Sequence, residues 1–246
     1  MILIRDKSIV LMFTHYRTNG FILKETDRGE ADRIFTIYTK DFGKSEFLAK
    51  AERKIKSKLR GGLELFCLSE IEFVQGKIYK TLTDAISIKN FNNLKGNLVR
   101  LAIVYKISET FNDLIKEQEE DKRIWQLLKE IFQELDDRGL KSEIIYHYFF
   151  WNILSFLGYQ PELYNCSVCQ NKLTPGELYF NSKEGGIICQ NCFKKLKSNK
   201  GIKPEIIKIL RIILEKDLKK LLRLKIEKSY LESLDIISQD YYSYIF

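Results

Sequence analysis

The chain has 246 residues, of which 45% are hydrophobic and 30% charged, and its formal net charge is +8. This composition excludes an intrinsically disordered chain, and the length allows one large domain or two modest domains with separate cores. Because no run of 18 apolar residues occurs, a membrane-spanning helix is not expected.

The N-terminal third of the chain carries strand patterns. The predicted strands cover residues 20–26, 33–39, 45–50, 63–74, 78–83 and 85–89. Short antiparallel strands at this spacing predict a small closed barrel, and the OB-fold suits a basic chain best. We therefore expect residues 1–90 to form a nucleic-acid-binding OB-fold domain. Residues 1–11 are weakly patterned, so that Met12 is an alternative start of the native chain.

A basic stretch, residues 44–60, connects the third and fourth predicted strands. It holds seven lysines and arginines against Glu46 and Glu52. The pattern favours a flexible loop that binds phosphates beside the barrel, and the alternative is a solvated segment whose lysine stems cover apolar surface. The candidate nucleic-acid-binding residues are Lys24, Arg33, Lys44, Lys50, Arg53, Lys54, Lys56, Lys58 and Arg60.

Five aromatic residues of the barrel region are candidates for base stacking, although core packing is the better interpretation for each. They are Phe21, Phe35, Tyr38, Phe47 and Tyr79.

From about residue 92 the apolar period changes to that of helices. Segments 98–115, 124–135 and 143–157 are predicted helices, and the third is apolar almost all round, as expected at the centre of a bundle. A final amphipathic helix is predicted from Pro204 to about residue 222. Residues 194–228 hold thirteen basic and four acidic residues, which indicates either a solvated face or a second DNA-contact surface.

Four cysteines form two CxxC pairs inside this helical region. Cys166 and Cys169 are separated by nineteen residues from Cys189 and Cys192, a spacing typical of a four-cysteine zinc site. Four thiolates fill a tetrahedron and leave no position for water or substrate, so the pattern predicts one structural Zn²⁺ ion. Two disulfides are the alternative. The zinc module, about residues 163–196, includes a hairpin between the pairs and is predicted to lie within a helical domain of residues 91–246.

Catalysis has little support in the sequence. No phosphate-binding, dinucleotide-binding, zinc-protease or serine-hydrolase motif occurs, and we expect the protein not to be an enzyme. No secretion signal is recognisable at the start of the chain, so reduced cysteines and a cytoplasmic location are expected. A metal-dependent nuclease and a zinc-ribbon RNA-binding factor in translation or transcription remain alternatives.

Three stretches together resemble the RecO family of bacterial DNA repair proteins. The first is Gly20-Phe-Ile-Leu-Lys24, followed by residues 29–33, Gly43-Lys44, Ala49-Lys50 and Arg53-Lys54. The second is the run from Phe156 to Leu163 that leads into the first CxxC pair, and the third is Tyr179-Phe180 with residues 185–188 before the second pair.

The resemblance implies an α+β protein with an N-terminal OB-fold, a helical domain and an embedded zinc module. It implies a non-enzymatic mediator that binds single- and double-stranded DNA and anneals complementary strands. With RecR, such a mediator loads RecA onto DNA coated by single-strand-binding protein, whose C-terminal tail it recognises; it is expected at the nucleoid and away from membranes. Two departures stand out: Gln170 occupies the position usually held by glycine, and Glu52 lies in the usually basic loop.

Overall fold

The computed structural model describes residues 14–116, 120–137, 142–174, 176–196 and 201–246. They form two compact units. The first unit lies within Met1–Asn90 and Ile115–Asp121, and the second within Phe91–Leu114 and Lys122–Phe246. The question of a native extension at residues 1–11 lies outside the described residues.

The first unit is a closed five-stranded barrel. Its strands are β1 (His15–Arg28), β2 (Asp32–Thr39), β3 (Gly43–Ala49), β4 (Leu68–Gln75) and β5 (Lys80–Lys89). They are arranged in the order β1-β2-β3-β5-β4, and β4 pairs with β1 to close the barrel. The β3–β5 pair is parallel and the other four pairs are antiparallel. This is an OB-like barrel, and the prediction of the fold class is confirmed.

Alternation of apolar and polar residues builds the interior of the barrel. Along β4, buried Ile71 and Phe73 alternate with the partly exposed Glu70 and Glu72, as expected for a strand with one face in the core. The core also receives Ile22 from β1, Phe35 and Ile37 from β2, and Phe47 and Ala49 from β3.

Several predicted strand boundaries were wrong; β1, for example, begins at His15 and not at residue 20. The strand predicted at 63–74 begins only at Leu68, because the 3₁₀ turn Arg60–Gly62 and a left-handed Phe66 (φ 59°) interrupt the extended backbone. Phe66 is nevertheless buried, and its N–H donates to the carbonyl of Ile22 over 2.8 Å. The segments 78–83 and 85–89 are one strand, β5, because the irregularity near Asp84 does not end the pairing with β4.

The second unit is mainly helical. Its helices are α1 (Asn92–Lys95), α2 (Leu98–Leu114), α3 (Lys122–Asp137), α4 (Ser142–Phe156), α5 (Gln190–Leu196), α6 (Pro204–Leu214), α7 (Leu218–Arg223) and α8 (Lys228–Ile245). As predicted, α4 is central: it contacts α2, α3, α6, α7 and α8. In the described part of the chain, no helix is long and apolar enough to cross a membrane.

The helical period of segment 98–115 predicts an apolar stripe that includes Leu98, Tyr105, Phe111 and Leu114, and the face that α2 buries agrees with it only in part. Leu98 and Tyr105 are exposed, whereas Ile103, Val104 and Ile107 are buried. Apolar residues occur all round the first three turns of this helix, so periodicity could not choose the buried side.

The predicted final helix is interrupted. Lys216 adopts a left-handed backbone (φ 61°) after α6, and the Asp217 side chain caps α7 by accepting a hydrogen bond from the Lys220 N–H over 2.9 Å. A further helix, α8, follows and was not predicted.

A small sheet ends at the first cysteine of the second pair, Cys189, and Cys192 follows in α5. It consists of β6 (Leu178–Asn181), β7 (Gly186–Cys189) and β8 (Gly201–Ile202), in the order β7-β6-β8. The β6–β7 hairpin turns at residues 182–185, where Gly185 is left-handed (φ 72°). This agrees with the hairpin expected between the two CxxC pairs.

Candidate metal centre and nucleic-acid interface

The four predicted cysteines converge on one point. The Sγ atoms of Cys166, Cys169, Cys189 and Cys192 all lie within 4.8 Å of one another, and those of Cys169 and Cys189 are 3.9 Å apart. In a tetrahedron with Zn–S bonds near 2.3 Å, neighbouring sulfurs are about 3.8 Å apart. The cluster therefore has the size and the donor set of a four-thiolate metal centre.

Backbone hydrogen bonds fix the first CxxC turn against the hairpin. The N–H of Gln170 donates to the Cys166 carbonyl over 2.8 Å, which closes the turn. The N–H of Ser167 donates to the carbonyl of Ile187 over 2.8 Å and thereby attaches this turn to β7. The two cysteine pairs are thus held on one rigid framework.

A glycine permits the close approach of the strand that leads into the second pair. A Cβ atom at Gly186 would lie 2.3 Å from the backbone oxygen of Glu162. The N–H of Ile187 donates to that same carbonyl over 2.9 Å. Any side chain at Gly186 would separate the two segments that carry the cysteines.

The thiols differ in their acidity. Burial opposes ionisation of Cys166, but bonds from the N–H groups of Cys169, Cys189 and Val168 prevail and lower its pKa to about 6. Burial raises the pKa of Cys192 to about 12, with a further increase from the neighbouring thiols. A divalent cation between them would favour the thiolate form of all four.

Aromatic side chains cover one side of the cluster. The rings of Tyr179 and Phe193 stack with centroids 3.6 Å apart, and both pack against buried Cys166, Ile188 and Cys192. Such a cover limits access of water and chelators to the centre.

The basic loop, residues 50–60, projects its charges outward. Its exposed basic side chains are Lys50, Arg53, Lys54, Lys56, Lys58 and Arg60. Ile55, in the middle of the loop, is 92% exposed. Five lysines and arginines of the basic stretch therefore lie within eight positions, 53–60, beside the end of β3, a density suited to phosphate binding.

Glu52 does not weaken this positive surface, because its side chain is turned inward. It is only 4% exposed, and its carboxylate lies 3.4 Å from Nη1 of Arg33. The N–H of Ala51 donates to the carboxylate of Asp32 over 2.8 Å, and the N–H of Arg53 to the Ala31 carbonyl over 3.0 Å. The base of the loop is thus attached to the β1–β2 turn.

Arg33 is engaged by three carboxylates. Its Nε donates to Asp27 over 2.8 Å, and its Nη1 lies 3.3 Å from Glu25 and 3.4 Å from Glu52. The hydrogen bond that it donates to Asp27 raises the pKa of the guanidinium further. Arg33 therefore differs from the loop lysines, because its charge already has several partners.

The other two candidates lie apart from the loop. Lys24 is exposed on β1, opposite Thr36. Lys44 is partly buried at the start of β3, and its Nζ donates to the Ile115 carbonyl over 2.6 Å. Lys44 is thus already engaged with a backbone carbonyl of the first unit.

Four of the five aromatic candidates for base stacking belong to the core. Phe21, Phe35, Tyr38 and Phe47 have no exposed surface, whereas Tyr79 is partly exposed. Arg28 stacks over the Tyr79 ring, 4.6 Å from its centroid.

Two protein-family models match this chain, one near its N-terminus and one over the remainder. The family model described as "Recombination protein O N terminal" matches residues 12–91, and that described as "Recombination protein O C terminal" matches residues 95–245. The chain belongs to the RecO family.

Individual members of the RecO family align over most of the chain. A protein named DNA repair protein RecO from Dehalococcoides mccartyi (strain ATCC BAA-2266 / KCTC 15142 / 195) is 36% identical over 221 residues, 90% of this chain and 87% of that protein. Proteins of the same name from Acetivibrio thermocellus and Caldanaerobacter subterraneus subsp. tengcongensis are 30% and 27% identical, each over 92% of this chain and 90% of theirs.

One departure from the RecO pattern has a structural consequence. Gln170 stands where the resemblance leads us to expect glycine, and its backbone is left-handed, with φ 61°. Its side chain donates to the carbonyl of Ser167 over 3.1 Å. The turn therefore keeps the conformation that favours glycine and bears the steric cost of a Cβ atom.

Proposed function

We propose that this RecO-family chain is a recombination mediator that binds single- and double-stranded DNA and anneals complementary strands. Together with RecR it would load RecA onto DNA coated by single-strand-binding protein, whose C-terminal tail it would recognise. The observation that carries the proposal is the exposed basic loop attached to an OB-like barrel. The names of the aligned relatives, all DNA repair proteins, support the same process.

The proposed mechanism is charge neutralisation. Lys24, Lys44 and the basic loop would neutralise phosphates on each strand, with a smaller contribution from the already paired Arg33. Reduced repulsion allows two strands to approach and pair. Exposed lysines and arginines of residues 194–228 would form a second contact surface; Lys208, Lys219 and Lys225 are among them.

We propose one structural Zn²⁺ ion bound by Cys166, Cys169, Cys189 and Cys192. The mutual sulfur distances fit it, and thiolates are ligands that zinc prefers. The ion would hold the hairpin to the preceding turn and take no part in chemistry. Metal analysis of the purified protein should give one zinc per chain, and a chain free of zinc at full stability would contradict the assignment.

We propose that the protein catalyses no reaction and that it acts in the cytoplasm, at the nucleoid. Incubation with end-labelled DNA and Mg²⁺ or Mn²⁺ should leave the strand intact, whereas cleavage that depends on the metal would indicate a nuclease.

Competition between nucleic acids tests the choice of substrate. Single-stranded DNA should displace a bound labelled DNA strand at least as well as RNA of equal length and sequence. A clear preference for RNA would favour the alternative, an RNA-binding factor.

A further inference from the structure

The barrel wall has a cleft where β3 and β5 meet. These two strands pair at Phe47–Lys80 and Leu48–Thr81, and the preceding residues of β3 face the β4–β5 turn across a gap. The gap is a cleft of about 380 Å³, within the roughly 300–1,000 Å³ of small-ligand pockets. It is lined by Lys44, Ser45, Glu46, Gln75, Ile78, Tyr79, Lys80 and Lys116.

Three lysines line this cleft, against a single acidic residue, Glu46. Lys80 donates to the hydroxyl of Ser45 over 2.7 Å, and its Nζ lies 5.7 Å from the ring centroids of Phe47 and Phe73. Lys116 is exposed at the rim. A site with this excess of positive charge and a hydroxyl group suits a phosphate.

The cleft also offers an aromatic surface. Tyr79 is the partly exposed member of the five aromatic candidates, and Arg28 covers one face of its ring. Ile78, beside it, is 83% exposed. A nucleobase that stacks on the tyrosine ring would have apolar surface next to it and a cation behind the ring.

We infer that this cleft is a subsite for one nucleotide of a single strand, with its phosphodiester at Lys80 and Lys116 and its base against Tyr79. The inference rests on the proposed DNA binding, and it adds a site that distinguishes single-stranded from duplex DNA. A base can reach the tyrosine ring only when it is unpaired, whereas the basic loop binds phosphates of either form. Burial lowers the pKa of Lys80, and a bound phosphate would offset that effect.

The test compares variants on single-stranded and duplex oligonucleotides of one length and sequence. Tyr79→Ala should weaken binding of the single strand roughly 5- to 100-fold and leave duplex affinity within about 2-fold. Tyr79→Phe keeps the ring and should bind as the parent protein does. Equal loss on both substrates, or no loss on the single strand with the fold intact by circular dichroism, would overturn the subsite.

Lys116 tests the phosphate contact. Lys116→Gln should reduce the salt slope for the single strand by about 0.7, while Lys172→Gln, which removes an exposed lysine outside the barrel, should not change it. Strands with a 5′-phosphate and a 5′-hydroxyl should bind equally, and millimolar inorganic phosphate should compete only weakly. A defect confined to 5′-phosphorylated strands would refute an internal phosphodiester as the ligand.

The outcomes separate this inference from the proposed function. If Tyr79→Ala binds both substrates normally while charge removal in the basic loop weakens binding, the subsite fails and DNA binding remains. If the basic-loop variant also binds normally, the proposed interface fails too.

Discussion

At the residue scale, one residue of the candidate metal centre has a strained backbone conformation. Gln170 closes the first CxxC turn in a left-handed conformation, which costs a residue with a Cβ atom about 1–2 kcal/mol. The sequence showed the departure from glycine, but only the backbone shows that the conformation is retained.

Replacement of Gln170 tests this account. Gln170→Gly should be about 1 kcal/mol more stable than Gln170→Ala, because both lose the bond to Ser167 and only alanine keeps the strain. Urea unfolding of the metal-bound protein measures the difference. Equal stability of the two variants would show that the turn is not strained.

A buried histidine gives the second residue-scale prediction. Burial, together with nearby Lys106, lowers the pKa of His147 to about 4, although Asp235 opposes the shift. Between that value and about 6.5, the unfolded chain binds the proton and the folded chain does not, so acid favours unfolding.

The expected loss of stability through His147 is about 2 kcal/mol between pH 7 and pH 5. His147→Gln should reduce this loss, although it should also be less stable at pH 7, because it fits the core less well. Chemical unfolding at both pH values supplies the comparison. An equal pH dependence in the variant and the parent protein would remove His147 from the explanation.

At the element scale, the basic loop combines exposed basic side chains with one buried carboxylate, that of Glu52. The number of charges in residues 44–60 was readable from the sequence, but the burial of Glu52 was not. A carboxylate in a basic segment suggests a weaker positive surface until its partner is known. That partner, Arg33, lies on β2, nineteen positions earlier in the chain.

Removal of charge from this loop should weaken DNA binding. If five to seven phosphates are bound, a plot of log K against log salt should have a slope of roughly −4 to −6. The combined change of Arg53, Lys54, Lys56 and Lys58 to glutamine should lower affinity and flatten the slope by about 3.

A second loop variant separates charge from anchoring. Arg53 pairs with Asp27 over 3.4 Å, whereas Lys50 is an exposed lysine of the same loop. A variant with Lys50, Lys54, Lys56 and Lys58 changed should therefore give a similar slope without loss of the Arg53 contacts. Unchanged affinity and slope in both variants would remove the loop from the interface.

The convergence of the four cysteines and the hairpin between them are the features that the sequence predicted best. Two CxxC pairs and the hairpin between them are encoded locally, so spacing alone was sufficient. Strand and helix boundaries were harder to predict. Phe66 and Lys216 adopt left-handed backbone conformations, which their residue types do not favour and the sequence therefore did not predict.

Loss of one ligand tests the module. Cys166→Ser should lower both the zinc content and the thermal midpoint, because a three-thiolate site binds the ion less tightly and the hairpin loses its attachment. Cys67→Ala is the matched control, since Cys67 is buried in the barrel core and should not affect zinc content. Full zinc content and an unchanged midpoint in Cys166→Ser would contradict a structural site.

At the scale of the whole molecule, the two units carry different candidate sites. The barrel unit carries the exposed basic loop and the cleft at β3–β5, and the helical unit carries the four-cysteine cluster, a candidate metal centre. A site filled by four thiolates has no open coordination position, so we place the activity on the basic surfaces. The overall class of the fold was predictable because the apolar period changes sharply near residue 92.

Annealing of DNA strands coated by single-strand-binding protein is the most direct test of the proposed function. Complementary single strands, precoated with single-strand-binding protein from the same organism, are mixed with this protein, with and without RecR, and duplex formation is followed over time. We expect this protein to accelerate annealing well above the coated control, and we expect changes to the basic loop to abolish the acceleration. No acceleration by a folded, zinc-loaded protein in either condition would contradict the proposed function.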